Sequence, residues 1–211
     1  MTRYLRSEEV GTPTIARRRV TALLAGLLAL GILVMCLGNY QVAPSTVAKI
    51  LVGQIPGIHA DVTWPRAVET VVLHVRLPRT LGAMCVGAAL ALSGATYQGV
   101  FRNPLVSPDL LGVSAGACVG AASAILLHTG RASLQVMALA TGLAAVALAT
   151  FIPRLLRNTS TMTLILSGVI VAGLMNSTLG LFKYIADPET ELADITYWMM
   201  GSLAGARWDH M

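Results

Sequence analysis

Five runs of 18 to 21 residues pass without a formal charge: 20–37, 81–101, 110–127, 132–152 and 162–182. A helix needs about 20 apolar residues to cross the ~30 Å hydrocarbon core of a bilayer. In lipid, each backbone N–H and C=O must find its partner inside its own segment, so such runs can only be helices. The fold class that follows is all-α: a polytopic transmembrane bundle of about five spanning helices. The stretch from Val72 to Gly116 organises the rest. It reads as a helical hairpin with Arg76 and Arg79 at its lip and a polar, proline-bearing turn at its tip.

The first run follows Arg17, Arg18 and Arg19 and has an apolar core of 18 residues. A secretory signal has a core of about 7–15, so this run is read as a spanning helix, with 1–19 a cytoplasmic N-terminal segment and 20–211 the transmembrane domain. The 40-odd residues from Asn39 to Arg79 form the longest connection. Within it, Ser45 is placed to cap a short amphipathic helix that Pro56-Gly57 would stop. After Lys183 the chain turns acidic, and Ile195–Ala206 is too short to span, so its aromatics suit an interfacial or re-entrant helix. With the N-terminus inside, the inner side carries Arg3, Arg6, Arg17, Arg18, Arg19, Arg102, Arg154 and Arg157. The outer side carries Lys49, Arg66, Arg76, Arg79, Arg131 and Lys183, so the bias has the expected sign. Arg76 and Arg79 run against it.

Only 12% of residues are charged, half the ~25% of a soluble domain. The net charge of +5 comes from short clusters between apolar runs, a pattern that fits membrane orientation and not nucleic-acid binding. Cys36, Cys85 and Cys118 lie in three different runs and read as small apolar residues. His59, His74, His128 and His210 make no i,i+4 pair, so no metal site and no cofactor are assigned. Gly112, Gly116 and Gly120 give two overlapping GxxxG steps, a packing face where lipid supplies no hydrophobic drive for helices to associate. Gly112 to Gly116 also fits the G-x-S-x-G pentapeptide, but the nucleophile elbow needs a strand before its serine. Asn158-Thr159-Ser160, a glycosylation acceptor pattern, falls on the inner side. Ser93, Thr96, Gln98, Asn176, Ser177 and Thr178 are polar groups within spans, suited to interhelical hydrogen bonds or to lining a path. Asn103, Pro104 and Leu105 form a turn that suggests proximity to a pore, because irregular backbone at membrane depth is tolerated only beside protein or water.

Arg76-Leu77-Pro78-Arg79, VGAALALSGATYQGVFRNPLVSPDLLGVSAGA (86–117), LILSGVIVAG (164–173) and YWMMGSLAGARW (197–208) follow one another over about 140 residues. Together they resemble the FecCD family of bacterial ABC importer permeases, which serve ferric siderophores, haem and cobalamin. The resemblance implies a ten-helix type II permease subunit of the inner membrane, of which this chain covers about the N-terminal half. It implies three partners: a second permease subunit, a pair of cytoplasmic ATPases and a substrate-binding protein. It places binding-protein docking on Arg76 and Arg79, and a cytoplasmic gate at Asn103, Pro104 and Leu105, with a second layer at Thr161. Among cargoes, the resemblance favours an iron–siderophore complex over cobalamin or haem.

No catalytic residue is assigned. The phosphate-binding pattern G-x-x-x-x-G-K-[ST] does not occur, so ATP chemistry would belong to another chain. The competing expectation is a truncated, non-transporting membrane remnant or scaffold.

Overall fold

The computed structural model describes residues 13–38, 40–56, 62–158 and 160–208. His59, His210, Arg3, Arg6 and Thr159 lie outside them. The described residues form helices and connecting turns: α1 (Pro13–Cys36), α2 (Pro44–Val52), α3 (Arg66–Thr70), α4 (Leu77–Phe101), α5 (Val113–Leu126), α6 (Arg131–Leu155), α7 (Thr161–Ile185) and α8 (Glu191–Met200). A π-helical segment, Val71–Arg76, joins α3 to α4, and a 3₁₀ turn, Pro108–Leu111, precedes α5.

Among the described residues, four helical stretches are long and apolar enough to cross a membrane: Arg17–Cys36, Arg66–Phe101, Arg131–Leu155 and Thr161–Ile185. The third run, expected to span from Leu110, gives a shorter apolar helix. Pro108 opens a 3₁₀ turn and Gly112 takes a left-handed φ of 75°, so α5 starts only at Val113. Its 14 residues reach about 21 Å at 1.5 Å each, short of the ~30 Å core. The second stretch is longer than expected, because helix begins at Arg66 and runs through Pro78. The connection after α1 is correspondingly shorter.

Two compact units divide the chain, residues 1–84 with 204–211, and residues 85–203. In the first, the end of α1 packs on α2 and on the π segment through Met35, Cys36, Val42, Val47, Ile50, Val68 and Val72, with Trp64, Leu73 and Leu77 against them. The cap of α2 is Ala43, not Ser45. Pro44 takes the first helical position, where its missing N–H costs nothing, and Ser45 falls inside the first turn. The helix ends at Val52, ahead of Pro56, with the Gly53 N–H turned back to the Lys49 carbonyl.

In the second unit α5 is the buried helix, with Gly116, Val119, Gly120, Ala121, Ala122 and Ala124 all enclosed. A Cβ on Gly116 would stand 2.7 Å from Ala145 Cβ, and one on Gly120 would stand 2.3 Å from the Met137 carbonyl oxygen. Gly112 precedes the helix and serves a different neighbour, the Ala172 backbone of α7, at 3.1 Å. Gly168 of α7 faces the Leu110 carbonyl, which a Cβ would meet at 2.1 Å. Small residues thus let α5 touch α6, and the turn before it touch α7, at backbone distance. Ile195 brings α8 into a cluster with Val119 and Ala122 of α5 and Leu179 of α7. This helix starts at Glu191 and stops at Met200, earlier at both ends than expected, because Gly201 at φ 69° ends it.

Three helices end on a non-glycine residue in the left-handed region: α4 on Arg102, α5 on His128 and α6 on Arg157. In each, the next N–H reaches back five residues, Asn103 to Gln98, Thr129 to Ala124 and Asn158 to Pro153. This is the Schellman closure of orphan carbonyls, here made without glycine. Basic side chains at these ends also face the negative pole of the helix dipole.

Two outcomes follow from this packing. Gly120→Ala should cost about 1–3 kcal/mol through overpacking, whereas Gly173→Ala, with nothing within 4 Å of its Cβ position, should be neutral or gain up to about 1 kcal/mol of helix propensity. Thermal unfolding in detergent reads both. At the α8 start, Asp187 Oδ1 accepts from the Glu189 N–H at 2.8 Å and the Thr190 N–H at 3.1 Å, and Glu191 Oε2 accepts from the Asp187 N–H at 2.9 Å. The two amides, Glu189 first, hold the Asp187 carboxyl below its ordinary value. A carboxyl depressed in the fold adds stability above its unfolded pKa of about 3.9 and loses it as pH falls through the folded value. Amide-exchange protection at Glu189 and Thr190 should therefore be constant from pH 7 to about 5 and decline below about 4.

Candidate functional site

The rod Arg66–Phe101 carries both arginines where it changes register. Pro78 has no N–H, and in a regular helix its ring would press on the carbonyl four residues earlier. The π-helical turn Val71–Arg76 relieves that clash, with the Leu77 N–H bonding the Val72 carbonyl five residues back. π-turns of this kind concentrate at functional positions. Pro78 itself is buried, Arg76 half-buried and Arg79 exposed.

Arg76 reaches across to the end of α1. Its Nη1 donates to the Met35 carbonyl at 2.5 Å, and its Nη2 donates to the Tyr40 carbonyl. Gly38 lies between these acceptors at φ 148°, and a Cβ there would stand 2.9 Å from Arg76 Nη2. The guanidinium therefore closes the C-terminal end of α1, where four carbonyls lack helical partners. Arg79 points elsewhere, and its Nη2 donates to the Ala204 carbonyl. Trp208, in the same short segment, donates its Nε1–H to the Leu73 carbonyl at 2.8 Å. A cavity of about 480 Å³ opens beside the two arginines, lined by Val34, Leu37, Gly38, Tyr40, Val71, Val75 and Thr80 as well. Among the described residues its charged lining is these two guanidinium groups, with no carboxylate.

The turn after α4 is built around Asn103. Its Oδ1 accepts from the Leu105 N–H at 3.0 Å, and its carbonyl accepts from the Val106 N–H at 3.3 Å. The amide thus fixes the turn and leaves Leu105 presented outward, 90% exposed. Val106 and Leu111 share a buried cluster with Leu164 and Ile165, which brings this turn and the first turns of α7 to one end of the second unit. Thr161 opens α7 there, exposed, one residue after the cap, where Ser160 Oγ accepts from the Thr163 N–H at 3.2 Å.

The polar groups within the long helices turn inward on their own backbones. Ser93 bonds Leu90, Thr96 bonds Leu92, Ser177 bonds Gly173 and Thr178 bonds Leu174, all carbonyls of the same helix. The interhelical bonds expected of them give way to this back-bonding, which satisfies a hydroxyl without a neighbour. Gln98 and Asn176 are exposed. Sequence reasoning missed Trp208 and Gly38. Only the π-turn shows which carbonyl the indole serves, although the paired Trp and Arg in 197–208 hint at an anchored segment.

Comparison with known proteins agrees with the all-helical architecture. The sequence profile of the FecCD transport family matches residues 26–211. The molybdate import system permease protein MolB of Haemophilus influenzae is 35% identical over 175 residues, covering 83% of this chain and 51% of that protein. The vitamin B12 import system permease protein BtuC of Escherichia coli is 37% identical over 207 residues, covering 92% of this chain and 57% of its own length. A solved structure described as an inward-facing metal-chelate type ABC transporter superposes with a TM-score of 0.76 at 33% identity, over 92% of this chain and 56% of that one. The chain spans about half the length of the relatives it matches. With the profile covering nearly the whole sequence, this chain belongs to the FecCD transport family.

Proposed function

We propose that the chain is part of the membrane-spanning permease of an ABC importer, with its N-terminus in the cytoplasm and the arginine end of the Arg66–Phe101 rod on the outer face of the inner membrane. It works with a second permease subunit, a separate ATPase and a substrate-binding protein. The observation that carries this reading is the exposed Arg79 guanidinium beside a cavity whose charged lining, among the described residues, is Arg76 and Arg79 alone. Guanidinium forks pair bidentately with carboxylates, and complementary charge steers encounter and fixes register. Arg76 already gives two donors to backbone carbonyls, so its role in docking is to hold the rim in shape. Arg79 gives one to Ala204, and its remaining N–H groups are the ones a carboxylate would take.

On the cytoplasmic side, Asn103, Pro104 and Leu105 with Thr161 form the proposed gate. An outward Leu105 on an Asx-fixed turn suits a constriction formed against a second subunit. Gly116 and Gly120 seat α5 against α6, and Gly112 seats the preceding turn against α7, which keeps the gate turn in place. The proposed cargo is an iron–siderophore complex. Cobalamin is the second reading, favoured by the vitamin B12 permease among the relatives. Growth of a deletion strain on single iron sources, against cobalamin-dependent growth, separates the two.

Arg79→Glu in the full chain should lower affinity for the cognate binding protein at least tenfold, while loss of its bond to Ala204 lowers the unfolding midpoint by about 4 °C at most; unaltered affinity removes the docking role. For orientation, Cys36, Cys85 and Cys118 are first replaced. A single cysteine at position 74 should then react with an impermeant maleimide from outside intact cells, and one at 157 only after the membrane is opened. The reverse pattern inverts the topology.

A further inference from the structure

The carbonyl of Leu73 is left without a backbone donor by two neighbouring facts. The Leu77 N–H, its partner in a regular helix, bonds Val72 instead. The next donor in that π register would come from residue 78, which is proline and has none. Leu73 packs against the buried cluster at the end of α1, where an unmet carbonyl is costly. The Trp208 indole, which can only donate, meets this oxygen at 2.8 Å. Four residues before it, the Ala204 carbonyl accepts from Arg79. The two bonds run in opposite directions between the same two stretches, so residues 204–208 and the arginine turn clasp each other.

We propose that Trp208 is a positioning residue for the arginine rim: its Nε1–H stands in for the backbone N–H that Pro78 lacks, and so fixes the turn that carries Arg76 and Arg79. Pro78 makes the π-turn necessary, the π-turn exposes the Leu73 carbonyl, and the indole closes it. The significance of the rim for docking rests on the function proposed above, but the clasp does not.

A substitution cycle in the full chain in detergent tests it without the binding protein. Trp208→Phe keeps an aromatic ring and removes the donor. It should lower the unfolding midpoint by about 2–4 °C, the shift that corresponds to roughly one hydrogen bond in a chain of this size. In a Pro78→Ala chain, where a backbone N–H is available to Leu73, the same substitution should cost less than half as much. Equal losses in both backgrounds would mean that the ring only packs, and would overturn the proposal. Should Pro78→Ala fail to fold, β-(3-benzothienyl)alanine at position 208 replaces the N–H with sulfur at nearly constant shape. A loss like that of Trp208→Phe supports the clasp, and a wild-type midpoint overturns it. If the cycle holds while Arg79→Glu leaves binding-protein affinity unchanged, the clasp stands and the docking reading falls.

Discussion

A backbone carbonyl that enters lipid without a partner costs several kcal/mol, and much of the local structure here answers that constraint. The long helices satisfy their interiors by themselves, so the difficulty collects at their ends and at Pro78. The answers are local and varied. Arg102, His128 and Arg157 adopt the left-handed conformation so that Schellman bonds can close α4, α5 and α6. Arg76 closes α1 from outside its own segment. Serine and threonine hydroxyls inside the spans bond their own carbonyls.

Association of the helices in the second unit follows a different rule. Hydrophobic burial contributes little between helices already in lipid, so backbone proximity has to supply the contact. Gly116, Gly120 and Gly168 each place a backbone where a Cβ would collide. Gly87, Gly94 and Gly99 of α4 meet nothing within 4 Å of their Cβ positions. Glycine content alone therefore does not identify a packed face. The neighbour does.

Long uncharged runs were readable as helices because spanning length and the absence of charge leave no alternative. Five runs became four membrane-length helices for a reason that lies in two residues. Pro108 and Gly112 consume the first turn of the third run, and hydropathy does not register a change of backbone direction. The second run failed in the opposite sense: the span was expected to begin at Leu81, after Arg76 and Arg79, yet a π-turn carries helix through both arginines. Ser45 was a reasonable cap by type, but Pro44 sets the start one residue earlier in the helix. The arginines and the Asn103 turn could be picked out by type and spacing. Their hydrogen-bond partners could not, because Met35, Tyr40 and Ala204 contribute only main-chain carbonyls, to which any side chain would have been equivalent.

That last point bears on how two arginines three residues apart come to differ. Each carries a guanidinium that needs acceptors which the local sequence does not supply. Arg76 finds them at the C-terminal end of α1, where the helix dipole places partial negative charge, and Gly38 keeps the approach open. Two of its donors are thereby committed within the fold, and the residue becomes part of the frame. Arg79, one helical turn on and exposed, shares a single donor with a short segment. A charge-assisted bond to a carboxylate is roughly twice as strong as a neutral one, so an acidic partner gains most by engaging the arginine whose fork is least committed. The difference between them arises from the position of each guanidinium relative to the main-chain carbonyls within reach, since the two side chains are chemically identical.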